Sequence, residues 1–340
     1  MIYDEIPLKT KKAMGRAYAE MRREYGASQD AVTEKLLTQR ALSNFEQNGE
    51  LPCWLVISAL LRRVGKNADY FVPVLSKGEY DYLNWRNEML LKLQKGSVAA
   101  EDWESGMAKS EKIHPILQRQ FATFWKGFLS DDISAMQRAV AMTVPGYPGA
   151  LSVKACAGTE ELAYLLICME RKLQLYPETW TEEKPMLKSV LHYIETCYQK
   201  DEQVKIYYRA VCVYGFYMLG ADPRQKLVYY HKALELHREM ACLTGLEDIL
   251  RGLIIESEKL GVKEPGEYGE YLHALEEIRE EYRIGRENYI TRQLSQEFYL
   301  LHEILGTYRK ERGLRVSEID RDVCSEKTYR ALLLNRCNLI

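Results

Sequence analysis

Thr38, Gln39, Arg40, Ser43 and Asn44 crowd five hydrogen-bonding side chains into seven consecutive positions. Arginine can grip a guanine edge with two parallel bonds, and glutamine or asparagine can do the same to adenine. The chemistry open to this cluster is recognition of base edges in a duplex groove. Presenting it takes one short helix whose N-terminal residues are free. Gln29 belongs with the cluster, because an amide at the N-terminus of the preceding helix can meet a phosphate with the helix dipole assisting. Arg40 is the cluster's one cation, and each missing phosphate contact weakens the salt-dependent part of the affinity. Two copies reading two half-sites would compensate, so a homodimer on double-stranded DNA is the expected assembly.

Other chemistries find little support. The eight cysteines (Cys53, Cys156, Cys168, Cys197, Cys212, Cys242, Cys324 and Cys337) never fall as C-x-x-C, and the six histidines are scattered. Neither set offers zinc-ligand spacing. His302-Glu303 lacks the second histidine of a metalloprotease helix, and no glycine-rich phosphate loop follows a strand. No metal, no cofactor and no catalytic residue is expected, and the chain is not read as an enzyme. Most cysteines lie in apolar helical stretches such as LLICMERK, the pattern of reduced, buried thiols in a cytoplasmic protein. No run approaches 18 uninterrupted apolar residues, so no membrane span is expected. Acids precede any apolar core at the start of the chain, which is wrong for a signal peptide.

The 340 residues are 46% hydrophobic and 28% charged, which excludes a disordered chain. Forty-seven basic residues against 49 acidic ones leave no chain-wide basic field, but the charge is graded. Residues 1–70 hold 11 basic against nine acidic, and 300–340 hold eight against six, so the middle is acidic.

Helical periodicity runs through the chain, and no alternating β-branched run is long enough to read as a strand. Segment 10–25 puts Met14, Ala17, Tyr18, Met21 and Tyr25 on one face and stops at Gly26. Ser28 caps a second helix over 29–36, and 39–46 is a third, with Leu42 and Phe45 turned inward. Asn48-Gly49 is a turn, Pro52 opens a fourth helix running to Val64, and Asn67 to Val72 closes a fifth. Segment 76–95 reads as one long helix, a linker with an oligomerisation surface.

Segment 14–50 resembles the XRE-type helix-turn-helix, in the variety found in Rgg-like (RRNPP-type) regulators. Arg22 to Gly26 matches the end of that family's first helix, and Ser28-Gln29 its entry to the second. Arg40-Ala41-Leu42-Ser43-Asn44-Phe45-Glu46 stands where the family has Ser-x-Ile-Ser-x-Phe-Glu in the recognition helix, and Ala68-Asp69-Tyr70-Phe71 fits its closing segment. The resemblance implies an all-α chain. Its DNA-binding domain is 1–75, its linker helix 76–97, its TPR-like helical solenoid 98–299, and its C-terminal helical cap 300–340. It also implies a transcriptional regulator controlled by a short signalling peptide. The alternative is a TPR-type interaction adaptor with a residual helix-turn-helix and no peptide sensing.

From about 98 to 299 the chain reads as helix pairs that cannot close a core alone, as stacking repeats require. The clearest pair is 203–219 with 223–237, whose spacing resembles TPR repeats in which a small residue, here Gly215, admits an aromatic of the second helix. That register turns Arg209, Cys212 and Phe216 to the inner face as candidate ligand contacts. Arg209 would hold a peptide carboxylate or an acidic neighbour in the array. Regulators of this kind often hold the peptide backbone with asparagine, yet none occurs between Asn87 and Asn288. Tyrosine is abundant instead: Tyr207, Tyr208, Tyr214, Tyr217, Tyr229 and Tyr230 suit either a groove or inter-repeat packing.

Segment 304–333 aligns without gaps on 17–46. Arg309, Glu311 and Gly313 repeat Arg22, Glu24 and Gly26, while Val316 and Arg330 replace Gln29 and Ser43. It reads as a partial second copy, either capping the array or touching DNA.

Overall fold

The computed structural model describes residues 8–71, 77–94, 97–99, 101–103, 115–217, 222–243, 245–262, 267–281, 309, 312–315 and 318. Among the described residues the fold is all-α, with no strand. Helix α1 (Leu8–Glu24) ends where Gly26 takes φ +76°, and the Ala27 N–H turns back to the Arg22 carbonyl at 3.0 Å. Glycine adopts that conformation without a Cβ penalty. Ser28 caps α2 (Gln29–Thr33) by accepting from the Ala31 N–H at 3.1 Å. The second helix is shorter than its sequence pattern suggests. Lys35 enters the left-handed region at φ 57°, and Leu36 after it is buried in the core.

Thr38 caps α3 (Gln39–Asn48), which stops at Gly49, φ +73°. The backbones of α1 and α3 approach so closely that a side chain at Gly15 would collide with the Phe45 carbonyl. Helix α4 (Trp54–Arg63) closes this unit. The expected fifth helix is a single 3-10 turn, Ala68–Tyr70. Between Gly65, at φ +66°, and Pro73 there is room for little more.

Helix α5 (Lys77–Gln94) buries Tyr82, Leu83, Trp85, Arg86, Met89 and Leu90, so much of its circumference is already packed within this chain. Among the described residues four helix pairs follow: α6 (Pro115–Leu129) with α7 (Ile133–Thr143), α8 (Thr159–Leu175) with α9 (Trp180–Cys197), α10 (Lys200–Tyr217) with α11 (Pro223–Glu239), and α12 (Leu246–Leu260) with α13 (Glu267–Glu281). First helices stack on first helices, α6 on α8 on α10 on α12, the packing of a solenoid. A side chain at Gly215 or at Gly252 would overlap the Tyr230 ring, so that tyrosine is wedged between two first helices. Within the first pair, a side chain at Gly127 would press on Ala135 and Met136, so α6 and α7 approach closely there. No described helix is long and apolar enough to cross a membrane.

The partial repeat of 17–46 lies mostly outside the described residues, as does the expected cap. Within the described handful, Gly313 takes φ +63°, the Leu314 N–H bonds the Arg309 carbonyl at 3.0 Å, and the Arg309 guanidinium bonds the Leu314 carbonyl. The same three features occur at Gly26, Ala27 and Arg22.

Candidate nucleic-acid interface

The surface that carries the candidate residues rests on a buried ion pair. Arg22 of α1 donates through Nε to Glu46 Oε1 at 2.7 Å and through Nη2 to Oε2 at 3.0 Å, and both side chains are buried. Its Nη1 holds the Ala27 carbonyl at 2.8 Å, tying the turn before α2 to the same guanidinium. Burial depresses the charge on Arg22 less than Glu46 supports it: the hydrogen bond to Glu46 raises its pKa above the ordinary arginine value. Glu46 Oε2 also accepts from Gln29 Nε2 at 2.8 Å, and Gln29 Oε1 accepts from Ser43 Oγ at 3.2 Å. One carboxylate therefore locks three helices into a fixed relation.

The six residues singled out in the sequence fall into two sets. Gln39 and Arg40 are exposed in the first turn of α3, and Arg40 makes no ion pair among the described residues. Thr38 is exposed, but its hydroxyl accepts from the Ala41 N–H at 3.2 Å as the helix cap. Gln29, Ser43 and Asn44 are half-buried and already engaged, Asn44 donating to Glu50 Oε2 at 2.8 Å. Gln29 has both ends of its amide bonded within the domain. Arg22 and Glu46 were not singled out as site residues, although an acid one position after the buried Phe45 on a helix of this length is a sign of an internal partner.

Behind α3 the unit is bolted to the array. Arg63, at the end of α4, is 0% exposed. Its five N–H bonds are all used: Nε and Nη2 on Glu161, Nη1 on the Val32 and Glu34 carbonyls, and Nη2 again on the Thr143 carbonyl, at 2.6 to 3.1 Å. Lys35 reaches the carbonyls of Val144 and Tyr147 at 3.0 and 3.1 Å, and the Gly146 N–H donates to Glu34 at 3.0 Å. The turn between α2 and α3 is thus gripped by the loop after α7. Arg62 and Arg86 both pair with Glu160, so α4 and α5 meet at the start of α8. Tyr25 OH donates to the Cys197 carbonyl at 3.0 Å, and Lys205 bonds Asn67. Cys156 sits in this seam with its thiol pushed up to about 11 by burial, against the pull of Arg63, which makes it a packing group rather than a nucleophile.

In the array, Arg209 is 8% exposed and its Nη1 donates to Glu170 Oε2 at 3.0 Å, so the acidic neighbour is present in the fold. Its Nε is buried with no hydrogen-bond partner. Cys212, one turn on, is half-buried, and burial drives its thiol well above the ordinary value. Phe216 lies in α10, but its side chain falls outside the described residues. The tyrosines within the described set pack between repeats: Tyr207 OH donates to Glu195 at 2.8 Å, Tyr214 meets Trp180 and Tyr229 edge-on, and Tyr230 fills the gap between Gly215 and Gly252.

The fold and this geometry define a helix-turn-helix unit fixed to a solenoid of helix pairs. No protein-family model and no curated protein matches the chain. Among solved structures it is similar to the crystal structure of Bacillus thuringiensis PlcR in complex with the peptide PapR7 and DNA. The likeness is loose: 12% identity and a TM-score of 0.37, over 89% of this chain and 98% of that one.

Proposed function

We propose that this protein is a sequence-specific, duplex-DNA-binding transcriptional regulator that reads bases with the first turn of α3. The observation that carries the reading is the contrast along that helix. Gln39 and Arg40 stand exposed at its start, while the helix behind them is held by the Arg22–Glu46–Gln29–Ser43 chain. A rigid helix with free bidentate donors at its N-terminal end is what major-groove reading needs. In this proposal Arg40 reads a guanine and Gln39 an adenine, while Thr38, Ser43 and Asn44 at the base edges and Gln29 at a phosphate would exchange the bonds they make within the domain for bonds to DNA. The test is a gel shift and a footprint on the DNA upstream of the gene. A folded Gln39→Ala/Arg40→Ala variant should lose about 1–3 kcal/mol per lost base contact and relax its sequence preference. Unchanged affinity and preference would remove the assignment.

We further propose a homodimer, since one cation per recognition helix leaves a single head weakly held. Light scattering with and without DNA tests it, and a monomer in both conditions at micromolar concentration would refute it. For the array we propose a short peptide lying along the first helices, with Arg209, Cys212 and Phe216 on its path. Arg209 would then exchange Glu170 for the peptide's terminal carboxylate. Calorimetric titration with short peptides encoded beside the gene tests this: Glu170→Gln should tighten binding and Arg209→Ala abolish it. The seam at Arg63 gives such a ligand a route to DNA affinity, because the array holds the helix-turn-helix turn directly.

A further inference from the structure

A cavity of about 380 Å³ opens between the end of α11, the turn that follows it, the first half of α12 and the side of α13. Its walls are Leu234, Leu243, Leu246 and Leu250, with Tyr271 across from them and Arg238 at the rim. The volume lies within the roughly 300–1,000 Å³ of small-molecule sites. The cavity is lined by α11 and α13, the second helices of their pairs, and by the start of α12, and its lining includes neither Arg209, Cys212 nor Phe216. Leu243 is 64% exposed and Tyr271 47% exposed, so two large apolar groups stand in water at the opening. Burying them would favour an apolar occupant.

Charge narrows the class. On α11, α12 and α13, Lys226 and Lys259 pair with Glu256, Lys232 with Glu195, Arg251 with Glu276 and Arg279 with Glu247, while the exposed Arg224 lies at the far end of α11, away from the cavity. Arg238 has no carboxylate partner among the described residues, and it is the cation at the cavity. The interior offers a polar ligand little, because the buried His237 ring is already bonded through Nδ1 to the Ala233 carbonyl at 2.8 Å. A sugar or nucleotide would leave its hydroxyls unpaired there. An aliphatic cation would meet Arg238 at the opening.

We propose that this cavity binds a medium-chain aliphatic carboxylate, its tail among the four leucines and Tyr271 and its head on the Arg238 guanidinium. The guanidinium fork matches a carboxylate with two parallel charge-assisted bonds. Calorimetric titration of the full chain with decanoate should give saturable one-to-one binding. Decylamine, with the same tail and the opposite head, should bind at least about tenfold more weakly, as should decanoate to Arg238→Gln. Leu246→Trp fills the cavity and should abolish binding. Leu243→Trp does so from the exposed rim, where a larger side chain does not disturb the core, and it stands in if the first variant fails to fold. Absence of saturable decanoate binding to the wild-type chain overturns the proposal. So does equal binding by the two ligands, or undiminished binding by the filled variants. DNA affinity is not part of the readout, so this result and the result for α3 are independent.

Discussion

Arg63→Met tests how strongly the helix-turn-helix unit is fixed to the array. Methionine keeps much of the apolar stem and removes all five donors. Glu161, whose side chain is 9% exposed, would lose its cation while retaining one bond from the Gly158 N–H at 2.8 Å. Breaking a buried pair from one side costs about 3–5 kcal/mol. The carbonyls of Val32, Glu34 and Thr143 lose their donor as well, at roughly 0.5–1.5 kcal/mol each where water cannot replace it. These contributions overlap, so a total loss of about 4–6 kcal/mol is expected, a large part of the roughly 5–15 kcal/mol that holds a domain together. The assay is urea unfolding at low temperature, with Glu161→Gln and the double variant completing a cycle. The double variant should recover about 1–3 kcal/mol relative to Arg63→Met, because no uncompensated charge is left buried. A loss below about 1 kcal/mol for Arg63→Met, or a double variant no better than the single one, refutes the reasoning. Arg62→Met should cost less, because Glu160 keeps Arg86.

Three further outcomes are expected. Glu46→Ala strands the buried Arg22 and should lower stability by about 3–5 kcal/mol in thermal unfolding, with Glu46→Gln milder because one oxygen still accepts. Gly252→Ala drives a methyl into the Tyr230 ring and should cost about 1–3 kcal/mol. Gly269→Ala, with nothing near its missing Cβ, should be neutral or slightly stabilising in the same measurement. Burial alone would raise the Glu160 carboxyl, but Arg86 and Arg62 outweigh it and hold its pKa below the ordinary value. A depressed folded-state pKa means stability that is present above the ordinary carboxylate range and lost as pH falls through the folded value. Acid unfolding should therefore begin at the seam only as pH falls below the ordinary carboxylate range, and a Glu160→Gln protein should show a shallower acid slope. Parallel slopes would show that Glu160 carries none of it.

The helices themselves were legible because their signals are local. Ser28 as a cap, Gly26 and Gly49 as stops, and the apolar spacing of Tyr18, Leu42 and Phe45 each act over one or two helical turns, and the structure has them all. Gly215 against Tyr230 was legible for a related reason, since helix pairing brings positions of known register together. The third helix and its exposed Gln39 and Arg40 followed from the same short-range pattern. The second helix ended early and the fifth shrank to one turn because long-range packing of Leu36 and the Gly65–Pro73 span overrode propensity. What the sequence could not disclose is which charges meet. Arg22 finds Glu46 across 24 residues and Arg63 finds Glu161 across 98, while Arg209 is neutralised by Glu170 from the neighbouring repeat. Each pairing depends on the angle and offset at which whole helices cross, set by the summed packing of many apolar side chains. An arginine at a helix end looks the same in sequence whether it faces water or becomes, as Arg63 does, the five-bond centre of an interface.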